Sequence, residues 1–228
     1  VGVLTATFQM LFFVAVVVTG VSVTTVVCLG FAPVLLLALR SAQQRRLPSA
    51  GHGAPVIVAL IGLLLVSLTG SPIEGTAPPI LGIVAALGSG AAYALSAEVA
   101  GPLTRRLDTL TVTTATMSVA AFVLVPSGVV LALVRGDTLT SSNTSSWLLI
   151  AYLGIVTMAI AYALLFTGLR STPSGSAVVA TLLEPVTAVL IAVLFLGESL
   201  TTTGMAGSLL IVAAIASLGR QSEDLPPQ

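Results

Sequence analysis

Residues 174–196 read SGSAVVATLLEPVTAVLIAVLFL, and the one ionisable side chain among them, Glu184, stands near the middle. An α-helix rises about 1.5 Å per residue, so a stretch of about 20 apolar residues crosses the roughly 30 Å hydrocarbon core of a bilayer. The pattern recurs along the chain. Residues 75–97, 109–134, 138–169 and 199–219 carry no charge, and the first acid or base is Arg40. Repeated spanning stretches of this kind describe an all-α, polytopic transmembrane helix bundle.

Composition removes the alternatives. Of 228 residues, 56% are hydrophobic and 7% charged, against about a quarter charged in an ordinary soluble domain. No water-soluble surface can be built from that. The net charge is zero, and no basic stripe with interleaved aromatics is present to neutralise phosphates, which argues against nucleic acid as a partner. Cys28 is the only cysteine, so neither an intrachain disulfide nor a cysteine-rich metal site can form. His52 sits among glycines in an expected loop and has no second histidine to share a metal. No Gly-x-x-x-x-Gly-Lys loop for a nucleotide appears. The sequence implies no cofactor.

Glycine and proline punctuate the apolar runs and place eight spans, at about 2–19, 22–40, 54–70, 79–100, 110–134, 147–168, 174–196 and 203–219. Only the connections at 40–53 and 135–146 are long, which leaves no room for a soluble domain. Positive loops stay in the cytoplasm. Alternating the loops puts Arg40, Arg45, Arg46, Arg105, Arg106, Arg170 and Arg220 on one side and Arg135 alone on the other, so the arginine-rich side is cytoplasmic. Trp147 then opens the sixth span at the outer headgroup layer, where an amphipathic indole is favoured.

Sliding the chain by 152 residues lays the first three spans on the last three. Pro33-Val34 falls on Pro185-Val186, Val26-Val27 on Val178-Val179, Gly2 on Gly154, Thr5 on Thr157 and Ala54 on Ala206. Arg46, in a cytoplasmic loop, meets Glu198, in an outer one, as an inverted second copy requires. With Gln9-Met10-Leu11-Phe12-Phe13, Thr19-Gly20-Val21 and Ala32-Pro33-Val34 in the first copy, and Leu183-Glu184-Pro185-Val186 and Gly197-Glu198-Ser199-Leu200-Thr201 in the second, the chain resembles the EamA branch of the drug/metabolite transporter superfamily. The resemblance implies two inverted five-helix repeats. Residues 1–73 would then be the last three helices of the first repeat and 74–228 the second repeat with its polar tail, with two further helices expected before Val1. It also implies an inner-membrane (plasma-membrane), multi-pass carrier. Such a carrier works by alternating access and exports small metabolites such as amino acids. Its partners are the lipid bilayer, a small-molecule substrate, protons and a second copy of the chain.

The candidate site residues are few. A charge at mid-span costs about 2.5–3.5 kcal/mol on insertion scales, so Glu184 is retained where it faces a bundle interior or water. It shares a small, polar stripe with Ala177, Thr181 and Ala188 at helical spacing. Pro185 removes a backbone donor and frees a carbonyl for a ligand, and Pro33 is its counterpart in the first copy. Gln9 is the comparable polar residue of the first span, placed toward a central cavity by the resemblance. Tyr93 and Tyr162 combine an aromatic face with a hydroxyl. Packing accounts equally well for the tyrosines, and a protonated, hydrogen-bonded Glu184 would be purely structural. Gly82, Ala86, Gly90 and Ala94 form a small-xxx-small stripe, with Gly204, Ser208 and Ala216 as a second, both read as helix contacts. Glu98 is expected within reach of Arg105 and Arg106 at a cytoplasmic end.

An intramembrane enzyme would need paired carboxylates, a His-Glu-x-x-His site or clustered aspartates, and the chain offers one mid-span Glu. A channel would show a charge ring or filter loop. A non-transporting scaffold would need neither an inverted repeat nor a buried carboxylate. Single cysteines at Ser49 and Ser142 are expected to be labelled from opposite sides of the membrane by an impermeant maleimide. Labelling of both from one side would overturn the span count and the inversion together.

Overall fold

The computed structural model describes residues 1–44, 50–67, 80–136, 143–196 and 202–223, and every regular element among them is helical. Much of the expected loops, and residues 197–201 with Glu198, lie outside the described residues. Each of the eight expected spans carries helix, and among the described residues five are long and apolar enough to cross a membrane. The eight are α1 (Gly2–Thr19), α2 (Val21–Gln44), α3 (Ala50–Ser67), α4 (Ile80–Arg106), α5 (Thr109–Arg135), a compound span of α6 (Thr144–Tyr152), a π-helical stretch (Leu153–Ile160) and α7 (Ala161–Leu169), a broken span of α8 (Ser174–Ala180) and α9 (Leu183–Leu196), and α10 (Thr202–Glu223). The protein is a polytopic helical bundle.

Two boundaries differ from the sequence reading. α3 starts at Ala50, so His52 belongs to its first turn and not to a loop. α4 runs through Pro102 to Arg106 where the Gly101-Pro102 pair predicts a stop. Proline forfeits one backbone hydrogen bond, and near a helix end the neighbouring turns absorb that loss. The true stop is Asp108, whose carboxylate accepts from the N–H groups of Leu110 and Thr111 at 3.0 and 3.3 Å and caps α5. The α4–α5 link is therefore tight. Arg170 at the end of α7 donates to the Thr109 hydroxyl at 3.3 Å, placing Arg105, Arg106 and Arg170 at one end of the bundle. Arg135 lies at the other end of α5.

Helices approach where their side chains are small, because lipid tails offer no hydrophobic drive for helix association and close packing has to supply it. Gly82, Ala86, Gly90 and Ala94 are all buried, α4 packs on α1 and α2, and a Cβ on Gly90 would lie 2.5 Å from the Cys28 carbonyl oxygen of α2. Beside this contact the Ser89 hydroxyl donates to the Phe8 carbonyl at 2.8 Å and accepts from the Cys28 thiol at 3.4 Å, tying α1, α2 and α4 together. The second stripe is shifted from the one expected. On α10 the buried positions are Gly204, Gly207, Ile211 and Ala214, whereas Ala216 is exposed. They meet α3, where a Cβ on Gly62 would stand 2.6 Å from the Gly207 carbonyl.

The outer surface of α5 and of the α6–α7 span is apolar and open. Phe122, Val134, Leu148 and Ile155 are exposed, which in a membrane-embedded bundle means contact with lipid. Adding a methyl group at Gly90 would push α4 off the α2 backbone. Gly90→Ala is expected to lower the melting temperature of the detergent-solubilised protein by several degrees, the equivalent of about 1–3 kcal/mol. Gly101→Ala, where nothing lies within 4 Å of the added Cβ, should leave it unchanged or raise it slightly. Equal behaviour of the two variants would refute the close α2–α4 contact.

Candidate functional site: a mid-membrane cavity

A cavity of about 330 Å³ opens at mid-depth in the bundle. α1 contributes Phe8, Gln9, Phe12 and Phe13, one helical face by their spacing. Opposite them the π-helical stretch and α7 contribute Thr157, Met158, Ala161, Tyr162 and Leu165, again one face. Tyr93 of α4, Leu29 of α2, and Thr181 and Glu184 from the broken span complete the lining.

The break arises from sequence. Pro185 has no N–H to give the Thr181 carbonyl, its α-helical acceptor four residues back. That carbonyl takes the Glu184 N–H at 3.0 Å, and Leu182 bonds Val179 at 3.0 Å, a tightening that separates α8 from α9 at Thr181 and Leu182. The freed carbonyl expected from Pro185 is thus already hydrogen-bonded. Glu184 falls in the first turn of α9, where the helix macrodipole favours negative charge. Its side chain is exposed, and among the described residues no hydrogen-bond or ion-pair partner meets its carboxylate.

The polar groups around it are held by one another. Tyr93 donates its hydroxyl to Thr181 at 3.1 Å, and Thr181 donates to the Val178 carbonyl at 2.8 Å. The Phe8 ring lies 5.3 Å from that of Tyr93, tilted by 40°. Gln9 Nε2 donates to the Met158 sulfur at 3.4 Å, and the Tyr162 hydroxyl sits beside Thr5 and Gln9. Toward the arginine-bearing end the cavity is shut. Ala100, Val112, Phe166, Leu169 and Ala177 pack into one cluster below Tyr162 and Leu165. Thr5 and Ser96 share a hydrogen bond of 3.3 Å, and the Ser174 hydroxyl donates to the Glu98 carboxylate. This last contact is not legible in the residue pattern, which points Glu98 toward the arginines.

The structure therefore brings Gln9, Tyr93, Tyr162, Thr181 and Glu184 together. Pro185 is half-buried behind the lining and acts through the break it creates, while Pro33 is buried inside an uninterrupted α2 and does not reach the cavity. Ala177 belongs to the closing cluster and not to the lining. The aromatic wall of Phe8, Phe12 and Phe13 escaped the sequence reading, although Phe12 and Phe13 stand three and four residues after Gln9 and so share its face. Nothing in LGIVTMAI announces a π-helix.

Comparison with known proteins agrees with this architecture. The model of the EamA-like transporter family matches residues 80–220. The uncharacterized transporter YwfM of Bacillus subtilis (strain 168) is 29% identical over 217 residues, covering 92% of this chain and 68% of its own. A solved crystal structure superposes with a TM-score of 0.74 at 18% identity, covering 99% of this chain and 76% of the other, a likeness of fold.

Loss of the Tyr93 hydroxyl would take the donor from a part-buried hydrogen bond at the break. Tyr93→Phe is expected to destabilise the solubilised protein by about 1 kcal/mol, whereas Tyr152→Phe, at an exposed tyrosine, should be silent in the same melting experiment. A silent Tyr93→Phe would show that the link from Tyr93 to Thr181 contributes nothing to holding the broken span.

Proposed function

Because the chain belongs to the EamA-like transporter family, and is thus a multi-pass membrane transporter, we propose that the mid-depth cavity is its substrate site and that it exports small organic metabolites across the plasma membrane. The observation that carries this reading is the exposed Glu184 carboxylate in the lining of an aromatic cavity halfway along the spans. An intramembrane carboxylate is expensive and marks a transport pathway by default. Small-molecule sites have this make-up, an apolar lining with a few convergent polar groups.

The way the cavity is closed supports a reading of alternating access. It is shut on the arginine-bearing side by the cluster around Phe166 and by the contacts of Thr5 with Ser96 and of Ser174 with Glu98. Its two long walls, α1 and the α6–α7 span, are counterparts under the 152-residue offset, as are the lining positions Leu29 with Thr181, Gln9 with Ala161 and Phe13 with Leu165. Two inverted repeats rocking about this site would close it on one side while opening it on the other. Outward transport, and amino acids or other small metabolites as the family's cargo, come from the resemblance alone. Glu184 either pairs with a cationic group of the cargo or carries a coupling proton.

Glu184→Gln retains shape and hydrogen bonding and removes the charge. In vesicles screened with labelled metabolites, the variant is expected to reach the membrane in normal amounts and to lose about ten-fold or more of its flux, the kinetic equivalent of ~1.4 kcal/mol. Loss of pH-driven accumulation with binding intact identifies the proton role, and weakened binding identifies the substrate role. Lower abundance with unchanged affinity and pH dependence in the surviving protein would sink the assignment.

A further inference from the structure

The cavity is electrostatically one-sided. Among the described residues its lining contains the carboxylate of Glu184 and no cationic side chain. Its hydroxyl donors are largely spent inside the protein: Tyr93 on Thr181, Thr181 on the Val178 carbonyl, Thr157 on the Leu153 carbonyl. The positive end of α9, which otherwise would take an anion, already has Glu184 in its first turn. Five aromatic rings, those of Phe8, Phe12, Phe13, Tyr93 and Tyr162, form much of the remaining surface. Ring faces carry the negative lobe of the aromatic quadrupole and attract ammonium groups within about 6 Å.

Two neutral donors are left over, the Tyr162 hydroxyl beside Thr5 and Gln9 and the Gln9 amide. The Gln9 amide donates to the Met158 thioether, a weak acceptor that a better one would displace. An amide offers a hydrogen bond to an ester, amide or hydroxyl oxygen. It does not offset the repulsion between Glu184 and a second carboxylate held in the same low-dielectric space. The volume of about 330 Å³ lies at the small end of the roughly 300–1,000 Å³ range of ligand pockets, which suits one ring or branched chain with a short head.

We propose that the site selects monocationic amines with a single aromatic or branched apolar body, over the zwitterion or anion of the same skeleton: among small metabolites, those whose carboxylate is absent or masked as an ester or amide. The consequence for flux rests on the transporter reading, but selection itself is a matter of binding.

The test uses four probes that share a phenyl ring and differ in charge: 2-phenylethylamine, L-phenylalanine methyl ester, L-phenylalanine and 3-phenylpropionate. Titrated by calorimetry into the purified 228-residue chain in detergent at mildly acidic pH, where the ester's amine is protonated, the two cations are expected to bind about ten-fold more tightly than the zwitterion, as suits a half-exposed ion pair, and the anion not measurably. Glu184→Gln should weaken both cations by about the same factor and level the series, while Glu184→Asp, which keeps the charge, should preserve the ranking and so guard against misfolding. Binding of phenylalanine or phenylpropionate as tight as that of phenylethylamine overturns the proposal. So does an unchanged affinity of the cations for Glu184→Gln, or no binding by any of the four probes. The same probes in vesicles separate the two readings. A ranked binding series with no flux of any probe leaves the selectivity standing and removes the transport role of the cavity, whereas flux of metabolites through a site with no charge ranking does the reverse.

Discussion

Every backbone N–H and C=O inside a bilayer has to find a partner within the protein, because hydrocarbon supplies none. This constraint sets the whole architecture. It makes each span a helix and confines irregular backbone to places where local re-pairing or a cavity satisfies it. Both irregular stretches, the π-helical one and the Thr181–Leu182 break, accordingly fall where the chain lines the cavity. At the break the Thr181 carbonyl is re-paired with the Glu184 N–H and the Thr181 hydroxyl with the Val178 carbonyl. The chain thus turns a proline defect into a helix N-terminus at mid-membrane depth, and Glu184 stands on it.

The two prolines show how little separates a continuous span from a broken one. Pro33 and Pro185 correspond under the 152-residue offset, yet α2 runs on through Pro33 while the later span breaks before Pro185. The neighbouring residues differ. Ala32 and Leu29 stand where the second copy has Glu184 and Thr181, and both pack into apolar clusters. The first copy has no hydroxyl at that point to bond a carbonyl or to receive the Tyr93 donor. Side chains that occupy the freed backbone groups stabilise a break; without them, continued helical packing against α4 wins.

Small residues do the complementary work on the rigid side of the bundle. Gly90 against the Cys28 backbone and Gly62 against Gly207 bring helices close enough for dispersion and buried hydroxyl bonds to hold them. The cavity wall is built of large rings instead, which leave space between helices. Close approach on one flank and bulky side chains on the other are what leave a cavity at mid-depth and a packed seal beneath it.

The sequence alone determined the solvent class, the places of the eight helical stretches and the grouping of Arg105, Arg106 and Arg170 at one end, because these depend on local hydropathy and charge, which are written residue by residue. It also marked Glu184, since an isolated carboxylate in an apolar run is visible without coordinates. Only the tertiary structure decided that Gln9, Tyr93, Tyr162 and Thr181 share one cavity with it, that Pro33 does not, that the packing stripe of α10 runs through Gly207 and Ile211 instead of Ala216, and that Ser174 reaches Glu98. Those outcomes turn on the rotation of each helix about its axis. In a chain so uniformly apolar that rotation leaves almost no trace in the hydrophobic pattern, and it is set by which small faces fit against which neighbours.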